Sequence, residues 1–284
     1  MLNALTIDVE DYFQVNAFAG IIPQDTWDSY PSRVDGNTRR ILDMLDSFSI
    51  RATFFILGWV AERFPTLTKE IYRRGHEVAC HGYGHELVYA IGPERFRADI
   101  RRSKMLLENQ CGAKVNGYRA PSYSITKRSL WSLDILVEEG FTYDSSIFPV
   151  MHDTYGIPDA QRFPHVLQTG AGPLVEFPLS TLPLHFGSKE VRLPIAGGGY
   201  LRFFPVALIH RGIQRINHQE KQPAVLYFHP WEIDPDQPRI REAGLKSRFR
   251  HYLNLSRTEK KLQKLFSSLS FAPMNEVLSG LGRE

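Results

Sequence analysis

Apolar and polar positions along this chain change period many times, and each change marks a predicted element. Residues 2–7 form an apolar run that ends in Asp8-Val9-Glu10-Asp11. Over 37–48, Ile41, Leu45 and Phe48 recur at helical spacing, which predicts a helix with one buried face. Residues 52–57, Ala-Thr-Phe-Phe-Ile-Leu, are apolar without alternation, as a strand buried on both faces is. A helix follows over 65–74, closed by Gly75, then a short strand over 77–80. Pro93 opens a helix through residue 110 with Phe96, Ile100 and Leu107 on its inner side, and 115–118 reads as a strand. Thr126 caps a helix through Glu139, ended by Gly140; 141–143 and 224–228 are further strands.

In five places a short apolar run ends in a polar cluster. The clusters are Asp8-Val9-Glu10-Asp11, His81-Gly82-Tyr83-Gly84-His85, Arg119-Ala120-Pro121-Ser122-Tyr123, Asp144, and Phe228-His229-Pro230-Trp231-Glu232. Loops at the C-terminal ends of parallel strands converge on one face of a (β/α) barrel. An open doubly wound sheet would gather them as well. From 149 to 205 the pattern gives way to a Pro- and Gly-rich insertion, expected to be irregular apart from one strand over 174–177. Its run Gly197-Gly198-Gly199-Tyr200 lacks the Gly-Lys-Ser/Thr ending of a phosphate loop. There is no internal repeat and no evident linker. The expectation is therefore a single domain over 1–237 with a C-terminal helical extension over 238–284 packed on it.

Composition narrows the class. The 284 residues are 43% apolar and 23% charged, ordinary for a soluble globular protein. A net charge of +3 gives no reason to expect a nucleic-acid partner. Two cysteines make no disulfide framework. The opening residues read as a first strand and not as a leader, and no segment is apolar for long enough to span a bilayer, so the expected location is cytoplasmic. The extension is basic up to Phe266: Arg239, Arg241, Lys246, Arg248, Arg250, Arg257, Lys260, Lys261 and Lys264 face only Glu242 and Glu259 there. It is either a solvated helix face or a surface for phosphate, on anionic headgroups or on the diphosphate of a lipid-linked glycan. The second case implies peripheral contact with the inner face of the membrane.

The clusters carry coherent chemistry. His81 and His85 stand at a spacing that lets both reach one metal ion, and a carboxylate would complete a three-ligand site with a position left for water. Alternation puts Asp8 and Glu10 on one side of an extended chain. Asp11 can turn inward instead if the strand has ended, so the third ligand is Glu10 or Asp11. Arg119, at a strand mouth, can pair with Asp8 and orient it. Pro121 stiffens a turn whose Ser122 or Tyr123 N–H can meet a developing oxyanion. His229 with a carboxylate beside it is a general acid for an amine leaving group, and Asp144 is the carboxylate expected there.

This set resembles the polysaccharide deacetylase family, the NodB-homology carbohydrate esterases, over residues 1–235. The family pattern is an acidic first motif, H-[S/T]-x-x-H, R-x-P-x-x with a nearby Tyr, an Asp-containing motif and a final L-x-H. Within the family the chain is similar to the deacetylases of exosortase/PEP-CTERM exopolysaccharide loci, through Asp-Val-Glu-Asp-Tyr-Phe, Gly-Gly-Gly-Tyr and His-Pro-Trp-Glu. The resemblance implies a distorted (β/α)7 barrel and a divalent metal, Zn²⁺ first, with Co²⁺, Ni²⁺ or Mn²⁺ as alternatives. By carry-over His81 and His85 bind the metal, Asp8 is the base, Arg119 orients it, and His229 is the acid tuned by Asp144. Pro121, Ser122, Tyr123 and Trp231 would face substrate. The implied reaction removes acetyl from a 2-acetamido sugar in a polysaccharide or lipid-linked glycan.

Three positions depart from the pattern: the spaced acids after Asp8, Gly82 in place of Ser/Thr, and Tyr227 in place of Leu. Two other readings stand beside the deacetylase. One keeps the metal but cleaves a small non-sugar amide or cyclic ureide; against it, Trp59, Tyr83, Tyr89, Tyr123 and Trp231 near the motifs suit stacking on sugar faces. The other is a catalytically silent glycan-binding protein, against which Asp8 and His229 are both present.

Overall fold

The structure is a computed structural model that describes residues 1–187 and 189–281. Its strands, in chain order, are β1 (Asn3–Val9), β2 (Thr53–Ile56), β3 (Glu77–Cys80), β4 (Gly117–Tyr118), β5 (Tyr143–Asp144), β6 (His165–Thr169) and β7 (Gly172–Glu176). There follow β8 (Thr181–Phe186), β9 (Lys189–Pro194), β10 (Val225–Phe228) and β11 (Phe271–Ala272). The main sheet runs β10-β1-β2-β3-β4-β5-β7-β6. Among the described residues, seven of these strands, β10 through β7 in that order, are mutually parallel, and β6 folds back antiparallel. β1 and β2 are buried at every residue, which is why their sequences show no alternation.

The sheet curls into a distorted barrel that strand pairing does not close between β7 and β10. Side chain and glycine backbone bridge the gap instead. The Ser180 hydroxyl accepts from the Val225 N–H at 2.7 Å, and Gly197 makes a single parallel bridge to Tyr227. Gly197 lies at φ +146°, and a Cβ there would sit 1.8 Å from the Tyr227 carbonyl oxygen. The glycine run is thus a backbone crossing over β10, and it delivers the short helix Gly199–Phe203 to the rim of the barrel.

Several expected boundaries move, each for a local reason. The first helix begins at Val34 rather than 37, because the Asp11 carboxylate accepts from the Arg33 and Val34 N–H groups at 2.8 and 3.1 Å and caps it. The helix expected from Thr126 begins at Trp131; residues 126–129 form a turn in which Ser129 Oγ accepts from the Thr126 N–H. The helix at Pro93 is preceded by one more turn, Val88–Cys111 being broken at Gly92, φ 76°. Residues 149–205 are not irregular: they hold the hairpins β6–β7 and β8–β9 as well as Gly199–Phe203.

The C-terminal residues are built into the barrel. β11 pairs with the start of β1, and the helix Leu255–Phe266 buries Leu262, Leu265 and Phe266 in the core. Lys261, counted above with the surface cations, donates to the carbonyls of Leu201, Arg202 and Phe204 and caps the end of Gly199–Phe203. Among the described residues no helix is long and apolar enough to cross a membrane. Gly197→Ala should lower stability by at least about 2 kcal/mol, since both its φ and the Tyr227 carbonyl oppose a side chain; a thermal melt unchanged within a degree would refute the crossing as the reason for glycine.

Candidate active site

The floor of the site is a buried ion pair at the C-terminal end of β1. Arg119 Nη1 donates to Asp8 Oδ1 and to Thr6 Oγ1, both at 2.7 Å. Its Nη2 donates to Ser145 Oγ at 2.9 Å, its Nε to the Ser145 carbonyl at 3.1 Å, and its guanidinium stacks 4.2 Å from the Phe55 ring centroid. Both partners are essentially inaccessible to solvent. The second Asp8 oxygen, Oδ2, faces the Tyr123 hydroxyl at 3.4 Å and His229 Nε2 at 3.9 Å.

Beside it, ligand atoms of Glu10, His81 and His85 all lie within 4.8 Å of one another. Glu10 Oε1 accepts from the Trp231 indole N–H at 3.1 Å; Oε2 is buried without a hydrogen-bond partner, though 2.7 Å from His85 Nε2. His81 Nδ1 lies 2.8 Å from the Arg119 carbonyl, which can only accept, so that nitrogen carries the proton and Nε2 keeps its lone pair. Burial holds His81 down at about 4, hence neutral. Burial also pushes the Glu10 carboxyl up, but His85 and His229 outweigh it and hold it well below the usual range. A neutral His81, the His85 imidazole beside it and an ionised carboxylate oxygen of Glu10 fit a divalent cation such as Zn²⁺. Asp11 is no part of this: it caps the first helix and accepts from Ser32.

The histidine loop owes its shape to an acid absent from the sequence reading. Gly82 stands at φ +73°, and the space a hydroxymethyl group would need is occupied by Asp99, whose Oδ2 is 2.8 Å from a Cβ position there. Asp99, on the helix Val88–Cys111, accepts from the Tyr83 and Gly84 N–H groups at 2.8 and 3.2 Å. It replaces the support that a Ser/Thr hydroxyl would give. His85 follows at φ 52°, a left-handed conformation that turns its ring back toward Glu10.

His229 does not pair with Asp144. Its Nδ1 lies 3.0 Å from Glu232 Oε2, and Glu232 Oε1 in turn accepts from Arg202 Nε at 2.5 Å. Burial pulls His229 down, yet the carboxylates of Glu10, Glu232 and Asp8 overcome it and hold the imidazole up, at about 9. Burial likewise opposes the Glu232 charge, and Arg202 and His229 bring it down to about 2. Asp144 lies at the end of β5, opposite Glu176 in the β5–β7 register. It accepts from Ser146 Oγ at 2.5 Å, and Ser146 Oγ accepts from the Ala120 N–H at 2.8 Å. Burial raises both Asp144 and Glu176, the latter further through its neighbour's charge, so the pair is best satisfied sharing a proton. Asp144 therefore seats the Arg119 turn. The signal for Glu232 was in the sequence: an acid three residues after His229 at a helix start is the capping-box spacing. Arg202 carried none.

A cavity of about 430 Å³ opens over these groups. Ser122, Tyr123 and Trp231 line it, whereas Pro121 is buried beneath the histidine loop, its ring under Gly82. Ser122 and Tyr123 both have positive φ, 52° and 53°. The Tyr123 N–H is spent on the Ala120 carbonyl, so of the two expected donors only the Ser122 N–H is left for substrate. Trp59 packs against Phe13 and Trp27, Tyr83 donates to Glu62 under Arg102, and Tyr89 lies under Arg128, none of them in the cavity wall. Titration calorimetry with Zn²⁺ separates the acids: Glu10→Gln and His81→Ala should weaken binding by more than about a hundredfold. Asp11→Asn should keep the affinity and cost about 1 kcal/mol of stability as a lost cap. Equal loss of affinity in the Glu10 and Asp11 variants would contradict this assignment.

Residues 25–142 match the family model described as polysaccharide deacetylase, and 145–279 match one described as a domain of unknown function (DUF3473). The peptidoglycan-N-acetylglucosamine deacetylase of Bacillus cereus is 28% identical over 130 residues, 42% of this chain and 47% of that protein. The chain spans less than half the length of the curated relatives it matches, 32% of one and 47% of another. In fold it is similar to a crystal structure described as a polysaccharide deacetylase from Mycobacterium smegmatis, with TM-score 0.63, 23% identity, and 99% and 90% of the two chains covered. An allantoinase shares the fold too, with TM-score 0.59, 13% identity, and 97% and 88% covered, so the barrel by itself does not choose the bond. The match over 25–142 takes in the histidine loop and the Arg119 turn, and over that segment the chain carries a polysaccharide deacetylase domain.

Proposed function

We propose that the protein is a metal-dependent N-deacetylase acting on a 2-acetamido sugar of a polysaccharide or lipid-linked glycan, of the exopolysaccharide type its sequence resembles. The observation that carries the proposal is the meeting of three groups at the cavity floor, with His229 Nε2 3.6 Å from Glu10 Oε1 and 3.9 Å from Asp8 Oδ2. A divalent cation held by Glu10, His81 and His85 would polarise the amide carbonyl and acidify a water. Asp8, oriented by Arg119, takes the proton of the attacking water at Oδ2. The Ser122 N–H donates to the oxygen that gains charge as the carbonyl carbon becomes tetrahedral. His229 Nε2 gives its proton to the departing amine, so that acetate and a free amine leave.

Acetate release from acetamido-sugar oligomers and from lipid-linked acetamido sugars, measured with Zn²⁺ or Co²⁺ beside allantoin and simple amides, tests the proposal. Release from the sugars alone supports it; turnover of allantoin alone gives the small-amide reading, and glycan binding without turnover the silent one. Asp8→Asn should lower kcat by about a hundredfold or more with metal content kept, and His81→Ala should lose both. The acid works while His229 is protonated, so activity falls as pH rises through its pKa. Glu232→Gln removes a carboxylate that raises that pKa, and the alkaline limb of kcat should move to lower pH. Asp144→Asn should leave the limb where it is. A limb that follows Asp144 and ignores Glu232 would restore the sequence-based assignment.

A further inference from the structure

Among the described residues the four most exposed large apolar side chains are Met151 (88%), Leu245 (82%), Phe249 (63%) and Phe203 (61%). Each is the chain neighbour of a residue in the cavity wall: His152, Lys246, Arg250 and Arg202. The segments they belong to are in contact. Arg202 donates to the carbonyls of Arg250 and His251 at 2.8 and 2.7 Å, and the Tyr155 and Tyr200 hydroxyls meet at 3.3 Å. Single exposed apolar residues are common on any surface, but four gathered around one opening are not explained that way.

The helix Leu245–Tyr252 shows how the rim is made. Leu245 and Phe249 stand at i and i+4 and share a face. Lys246, Arg248 and Arg250 stand among them, the helix carries no acid, and these cations form no ion pair among the described residues. His251 points the other way, buried, stacked on Trp231 at 4.2 Å and against Phe18 at 4.7 Å. The helix is therefore fixed to the site by one face and bare on another. Apolar side chains interleaved with unpaired cations match a bilayer interface, where acyl chains take the former and phosphates the latter.

We propose that this rim docks on an anionic lipid bilayer, with Leu245, Phe249 and Met151 entering the interface and Lys246, Arg248 and Arg250 meeting headgroup phosphate. The opening over Asp8 and His229 then faces the membrane surface, and a glycan carried on a lipid reaches it without leaving the bilayer. The docking concerns access and stands apart from which amide is cleaved. Lys261 takes no part, since it is committed to backbone carbonyls.

Cosedimentation with phosphatidylcholine vesicles, with and without phosphatidylglycerol, tests it directly. The protein should bind the anionic vesicles, less so as salt rises, and the neutral ones weakly. Leu245→Ser with Phe249→Ser should cut the partition coefficient about a hundredfold, roughly tenfold per side chain. Should the double variant melt early, Phe249→Trp serves instead: its added fluorescence should be quenched by brominated lipid. No vesicle binding, binding that survives the double substitution, or an added indole signal that brominated lipid leaves unquenched overturns the proposal. So does a dimer in sedimentation velocity that the double variant dissociates, because the rim would then be covered by a second copy.

Discussion

One buried guanidinium holds the site together. Arg119 leaves water completely, a cost that an ion pair alone seldom offsets. Here its donors reach Asp8 and Thr6 on β1 and both the hydroxyl and carbonyl of Ser145 beyond β5, while its plane rests on Phe55 of β2. Those contacts exist only when the strands stand in register, so the geometry of Asp8 and the curl of the sheet are one constraint. The Asp144–Ser146–Ala120 chain extends the same seat from the outside.

The division of labour between two histidines follows from what each Nδ1 faces. His81 faces a neutral carbonyl, and burial leaves it neutral and able to give a lone pair. His229 faces the Glu232 carboxylate, with Glu10 and Asp8 near its other nitrogen, and carries a proton to higher pH than a free imidazole. On the proposed reading the same side chain serves as a ligand in one setting and an acid in the other. Arg202 keeps Glu232 charged in a place that burial would otherwise make hostile to it.

Two matched regions meet at this point. The first carries the histidine loop and Arg119; the second, 145–279, carries Ser145, Arg202, His229 and Glu232. Asp8 and Glu10 lie ahead of both. The glycine crossing over Tyr227 brings Arg202 to Glu232, and Lys261 fixes the end of that short helix. The second region is thus part of the proposed catalytic centre as well as its surround.

The sequence by itself determined the parallel strands and the polar clusters at their ends, because burial on both faces and chain continuity are local properties, while barrel and open sheet both suited that pattern. It also brought Asp8, His81, His85, Arg119 and His229 into one set. Alternation favoured Glu10 over Asp11, but only the tertiary structure decided it, by spending Asp11 on a helix cap. The partner of His229, the support for Gly82 from Asp99, and the order hidden in 149–205 were likewise decided in three dimensions. Each depends on contacts between segments distant in the chain, whose distances no spacing encodes. Asp144 was expected beside His229, and the family resemblance implied the same, but the β5–β7 register placed it against Glu176.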